Sequence, residues 1–131
     1  MGLSYISVAS ISDSSPGFSY GRSGACGTGT YLQIDGVPSN KAGRLIPFST
    51  ATLNSIFVVC ENNSTFTIEI EKRVGVVFTN IYTVTLTNQR TYTETNIPDV
   101  EFVQGEEVCV KIGTGSTSNV IVGIVVRGSP L

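Results

Sequence analysis

The stretch Thr65-Phe66-Thr67-Ile68-Glu69-Ile70-Glu71 alternates apolar and polar residues without a break. Successive side chains of an extended strand point to opposite faces. Phe66, Ile68 and Ile70 therefore predict a buried face, and Thr67, Glu69 and Glu71 a solvated one. The next run, 76–86, repeats the pattern, with Tyr82, Val84 and Leu86 set against Thr83 and Thr85. Residues 72–75 lie between the two and read as a hairpin turn.

Outward from this pair, β-branched and aromatic residues recur in short runs at 29–34, 45–48, 53–60, 91–94, 107–112 and 120–127. Clusters of Gly, Pro, Asn and Ser separate them, as turns do between strands. No segment shows sustained apolar spacing of three and four residues. About eight strands and no helix predict an all-β fold, a single β-sandwich of jelly-roll-like type. The run 120–127 is apolar on both sides, Val120, Val122, Ile124 and Val126 against Ile121 and Val125. Either it is a central strand or its outer face meets another subunit. Residues 1–24 are Ser-rich, broken by Pro16 and Gly17, and carry Tyr5, Phe18 and Tyr20. They read as an N-terminal arm lying on a neighbour or as a first strand and loop, ahead of a sandwich domain at 25–131.

At 131 residues the chain makes one domain with a core that holds without metals. Its charged share of 14% lies well below the ~25% usual in soluble domains. Faces buried in an assembly avoid unpaired charge, and a Thr-rich exterior on an ordinary β domain gives the same figure. A formal net charge of −2 with no basic cluster argues against a nucleic-acid partner. No apolar run approaches the ~20 residues of a membrane helix. The start of the chain lacks the basic stretch and apolar core of a signal peptide. Ile6 stands where a myristoylation motif requires Ser or Thr. These features predict a soluble protein made in a cytoplasm.

The chemistry of catalysis is thinly represented. The chain has no His, which removes the commonest general base and the triads built on it. No Ser-x-x-Lys or Gly-x-Ser-x-Gly spacing occurs. Glu69 and Glu71 share a strand face and are the one candidate carboxylate pair, a pattern far more often a solvated surface. The Gly-rich segment Gly24-Ala25-Cys26-Gly27-Thr28-Gly29 leads into a strand, so it lacks the helix N-terminus that holds a phosphate. No metal-ligand spacing and no cofactor motif appear, and the expected chain is non-enzymatic. Asn62-Asn63-Ser64-Thr65 reads as a turn.

Cys26, Cys60 and Cys109 are odd in number and cannot all pair within one chain. Cys60 ends an apolar run and reads as a buried thiol. In Glu107-Val108-Cys109-Val110-Lys111-Ile112 the alternation puts Cys109 beside Lys111 on the outer face, and Cys26 lies in a Gly-rich loop. Both are candidates for an inter-subunit disulfide. Candidate interface residues are Phe18, Tyr20 and Arg22 near the N-terminus with Ile121, Val125 and Arg127 in the last strand.

The order of segments resembles small structural proteins of tailed bacteriophages and prophages. Three places carry the resemblance: Gly17-Phe18-Ser19-Tyr20-Gly21-Arg22-Ser23-Gly24; Thr30-Tyr31-Leu32 leading to Val37-Pro38-Ser39-Asn40-Lys41-Ala42-Gly43; and Lys111-Ile112-Gly113-Thr114-Gly115-Ser116, followed by Asn119-Val120-Ile121-Val122-Gly123 and Arg127-Gly128. It spans the chain from about Gly17 onward. It implies a virion structural protein on the particle surface, assembled in the host cytoplasm. The leading expectation is a capsid decoration, or cement, protein; the alternative is a receptor- or glycan-binding head of a tail or collar fibre, with Tyr20, Tyr31 or Tyr92 stacking on sugars. The implied partners are the chain itself, as a homotrimer by family habit, and the major capsid protein or other virion proteins.

Overall fold

The computed structural model describes residues 15–129. These form nine strands and no helix: β1 (Gly17–Cys26), β2 (Gln33–Ile34), β3 (Val37–Pro38), β4 (Arg44–Leu45), β5 (Thr50–Val74), β6 (Val77–Thr95), β7 (Glu101–Val103), β8 (Glu107–Gly115) and β9 (Thr117–Ser129). The all-β sandwich that the alternation predicts is the observed architecture. Every pairing between strands is antiparallel.

β5 and β6 form one long hairpin that runs through both layers. Its turn is tighter than the sequence suggests. Lys72, Arg73 and Val74 are still paired, and Val74 faces Val77 across only Gly75 and Val76. Gly75 has φ 63°, the left-handed value that a two-residue turn of the II′ kind places on its first residue. The hairpin bends where its ladder is uneven. Val59 pairs with Thr91 and Ser64 with Gln89, so four residues of β5 stand opposite Arg90 alone. Extra residues on one strand force a bend and added twist. The expected turn at 62–65 is thus a bend inside a continuous strand, and the runs 53–60 and 65–71 belong to one element.

The bend folds a single sheet over on itself. One layer is β1, β9, the first half of β5 and the end of β6; the other is β4, β8, the second half of β5 and the start of β6. Ile56, Val58, Val122 and Ile124 from the first layer face Phe66, Ile68, Ile70, Val110 and Ile112 from the second, all buried in one core. Tyr20 ties the layers together. It is fully buried and its hydroxyl donates to the Val108 carbonyl at 2.8 Å, a bond worth about 1 kcal/mol net.

β9 pairs with β1 on one side and β5 on the other, which makes it the central strand its two-sided apolar pattern called for. β1 pairs with β9 from Gly17 to Cys26, so residues 17–24 belong to the sandwich as its first strand. The boundary expected between residues 24 and 25 falls inside that strand, and residues 1–14 lie outside the described residues.

Candidate interaction surface

Register across the first layer defines its outer face row by row. Gly17, Val125, Ser55 and Thr95 form one row; Ser19, Gly123, Phe57 and Thr93 the next; Gly21, Ile121, Val59 and Thr91 the third. None of these residues is charged. Phe57 and Ile121 are each 48% exposed, and the Phe57 ring lies over Gly123, where any β-carbon would overlap it. An aromatic ring covering a cross-strand glycine gives a smooth apolar centre. Arg127 and Glu101 flank this face at one end, each aligned with Thr52. At the other end Asn119 donates to Glu61 at 2.8 Å. An apolar centre with a polar rim is the usual anatomy of a docking surface. Beside Ile121 an open cleft of about 260 Å³ is lined by Arg22, Ser23, Asn119 and Val120.

The second layer contrasts with it. Lys111 bridges Glu69 and Glu71 at 3.7 and 3.2 Å, and the Tyr31 hydroxyl donates to Glu71 at 2.5 Å. Glu71 is buried, and its charge is met by a cation and a phenol at once, the condition for burying a carboxylate at tolerable cost. Glu71 therefore anchors Tyr31 to β5, with Lys111 of β8 bridging it to Glu69, while the backbone of the 27–32 segment bonds to β8. Burial, then the Glu71 hydrogen bond and charge, raise the Tyr31 phenol pKa well above its ordinary value.

The six candidate interface residues divide between two faces. Ile121, Val125 and Arg127 lie on the outer face of the first layer. Phe18, Tyr20 and Arg22 align with Ile124, Val122 and Val120, which places them on the inward side. Tyr20 in particular is core, because alternation in β1 turns the large residues inward and Gly17, Ser19 and Gly21 outward. Phe57 was missed. It lies in the run Ile56-Phe57-Val58-Val59, where apolar residues on both sides hide which face is solvated.

The thiols are also corrected. Cys109 does sit on the outer side of β8, but residues 39–43 cross over it. Its Sγ donates to the Ser39 carbonyl at 3.2 Å, and it is 0% exposed. Burial, then Glu107 and Glu71 nearby, push its pKa up to about 12. Cys26 ends β1 at 1% exposure, its pKa raised by burial. Neither thiol reaches a neighbour from this fold, so the inter-subunit disulfide expected at these two positions has no accessible sulfur. Cys60 is buried as read, bonded to carbonyls at the β5 bend.

Along the seam where the two layers part, β6 supplies its own closure. The Tyr82 and Tyr92 hydroxyls donate to the two oxygens of Glu94 at 2.5 and 2.7 Å. These bonds hold the Glu94 carboxyl below its ordinary range. They also push the Tyr82 phenol up to about 12, the Glu94 bond contributing most and burial next.

No protein-family model and no curated protein matches the chain. Among solved structures it is similar to a subunit of Bacillus endospore appendages, described as a family of disulfide-linked pili, at 11% identity and TM-score 0.44, covering 91% of this chain and 88% of that one. It is similar to the Drosophila NLP core, studied for pentamer formation and histone binding, at 16% identity and TM-score 0.42, covering 89% and 96%. The N-terminal cellulose-binding domain of Cellulomonas fimi β-1,4-glucanase C matches at 16% identity and TM-score 0.34, covering 82% and 88%.

Proposed function

We propose that this chain is a non-enzymatic assembly protein that docks through the uncharged outer face of β1, β9, β5 and β6, and that its setting is the surface of a phage particle as a capsid decoration protein. The observation that carries the reading is the twelve-position face without a charge, centred on Phe57, Ile121 and Val125. Burying such a face requires no charge to be stripped of water, whereas a surface kept for solubility would carry Lys and Glu. The phage setting rests on the segment order described above. For the fibre-head alternative, Tyr20 is buried and out of reach of a sugar, while Tyr31 and Tyr92 are half-buried, the first packed against Phe78 and Lys111 and the second with its hydroxyl held by Glu94.

Copy number tests the proposal. Quantitative mass spectrometry of purified particles is expected to count hundreds of copies; a few dozen or fewer place the chain on a fibre or collar. Catalytic turnover by the purified protein overturns the non-enzymatic part.

A further inference from the structure

β6 spans 19 residues and pairs with β5 alone; its other edge meets no strand among the described residues. An open edge is a template for another strand, and proteins usually blunt it with Lys, Pro or brevity. The stretch 77–95 has no Lys and no Pro, and its only charged residues are Arg90 and Glu94.

The placement of those two charges is specific. They flank Tyr92 symmetrically, two residues to either side. In an antiparallel pair of identical strands each residue meets the one equally distant from the two-fold axis. With the axis at Tyr92, Arg90 of each copy stands opposite Glu94 of the other, and Thr91 stands opposite Thr93, both twice over. An axis at Arg90 or Glu94 sets like charges together, and axes at Thr91 or Thr93 leave both charges opposite neutral residues. Arg90 has no carboxylate partner among the described residues; its Nε donates to the carbonyls of Cys60 and Glu61. Glu94 accepts one phenol on each oxygen and keeps lone pairs for an arginine.

We infer that residues 89–95 of β6 pair with the same residues of a second copy, antiparallel about a two-fold axis at Tyr92. Opposite-charge and Thr–Thr cross-strand pairs both stabilise such a ladder. The contact is isologous and closes at two subunits, so it stands in place of the three-fold association that family habit implies. It uses the free edge of β6 and not the outer face of the layer, although Thr91, Thr93 and Thr95 belong to both, and either contact can fail alone.

Charge exchange in the full chain tests it. Sedimentation equilibrium is expected to give a dimer for the native chain, weakened about tenfold or more by Arg90→Glu or by Glu94→Arg, each of which sets two like-charge pairs face to face. An equimolar mixture of the two variants is expected to recover association as a heterodimer, because every charge then meets its opposite. Glu94→Arg also removes the two tyrosine bonds, so a second handle avoids that residue. Tyr92→Cys lies on the axis, where opposed Cα atoms are about 4.5–5.5 Å apart, and is expected to cross-link to a dimer under mild oxidation, whereas Thr85→Cys does not. A monomer up to ~1 mM, a trimer, or a mixture no tighter than its components overturns the inference. So does association lost on deleting residues 1–14 but indifferent to both charge variants, which makes the N-terminal segment the occupant of the edge.

Discussion

Gly43→Ala perturbs the cover over Cys109 directly. A β-carbon at Gly43 would lie 2.8 Å from the Cys109 Sγ, 2.9 Å from the Glu107 Cβ and 3.0 Å from the Val108 carbonyl oxygen. Ordinary contact is about 3.5–4.0 Å, so the added methyl overlaps three neighbours, one of them backbone. The 39–43 segment has to lift. Overpacking of this kind costs about 1–3 kcal/mol. An unfolding entropy of about 2.1 cal/mol/K per residue then predicts a melting temperature lower by about 4–11 °C for 131 residues.

Thiol labelling reads the local opening, in a chain whose Cys26 and Cys60 are replaced by Ala. Cys109 is 0% exposed, so it reacts only when residues 39–43 open, and in the opened state a pKa raised by burial returns toward its ordinary value. The cost of opening therefore sets the rate, and native Cys109 is expected to label at least ~100-fold more slowly than in the unfolded chain. Gly43→Ala is expected to recover about tenfold of that, since opening becomes cheaper by an amount near the overpacking cost. Native labelling at the unfolded rate, or a variant that melts and labels like the parent, refutes the reasoning.

Tyr20→Phe removes the bond that joins the layers and leaves a buried carbonyl short of a partner, so thermal denaturation is expected to show a loss of about 1–3 kcal/mol. Tyr82 is raised from 10.0 to about 12, so its contribution is complete below pH 10 and fades as pH rises toward 12. Tyr82→Phe is therefore expected to flatten part of the decline in melting temperature across that window. Glu94 is lowered from 4.5, so its contribution is present above that value and lost as pH falls below it. Glu94→Gln is expected to weaken the acid-side decline in the same melts. Ile121→Lys sets a charge in the docking face while its stem still covers the sheet. Melting within about 2 °C of the parent with at least about tenfold lower incorporation into particles is expected, because about 80 Å² of apolar surface no longer pairs.

The strands were legible because period-two alternation is a local property: Phe66, Ile68 and Ile70 face the core as their spacing requires, and β9 is central because both its sides are apolar. Coverage was not legible, because it depends on segments distant in the chain. Cys109 was placed on the correct side of β8, yet nothing near it in sequence announces that residues 39–43 lie across it. Tyr20 among serines and glycines suggested an exposed aromatic; strand parity, applied to β1, would have turned it inward. The continuity of β5 was hidden by Asn62-Asn63-Ser64, whose turn chemistry produces a bend instead of a reversal. Phe57 was obscured by the apolar residues on either side of it.

The low charge of the chain acquires a location from the register. Lys111, Glu69 and Glu71 are spent on the second layer, where Glu71 anchors Tyr31 to β5 and Lys111 bridges the two carboxylates, while Lys72 pairs with Glu106 at 3.3 Å. What remains on the first layer is a face with Arg127 and Glu101 at one end and Glu61 at the other. A protein that merely tolerated few charges would scatter them; here the second layer is charged and closed by its own loops, and the central outer rows of the first are uncharged and open. Self-cover and partner-cover are alternative solutions to the same burial problem; the second layer uses the first, and the proposed docking supplies the other. On the proposed reading the uncharged face is the side on which a partner replaces water, and the free edge of β6, which contributes Thr91, Thr93 and Thr95 to that face, is where the surface continues into a second copy.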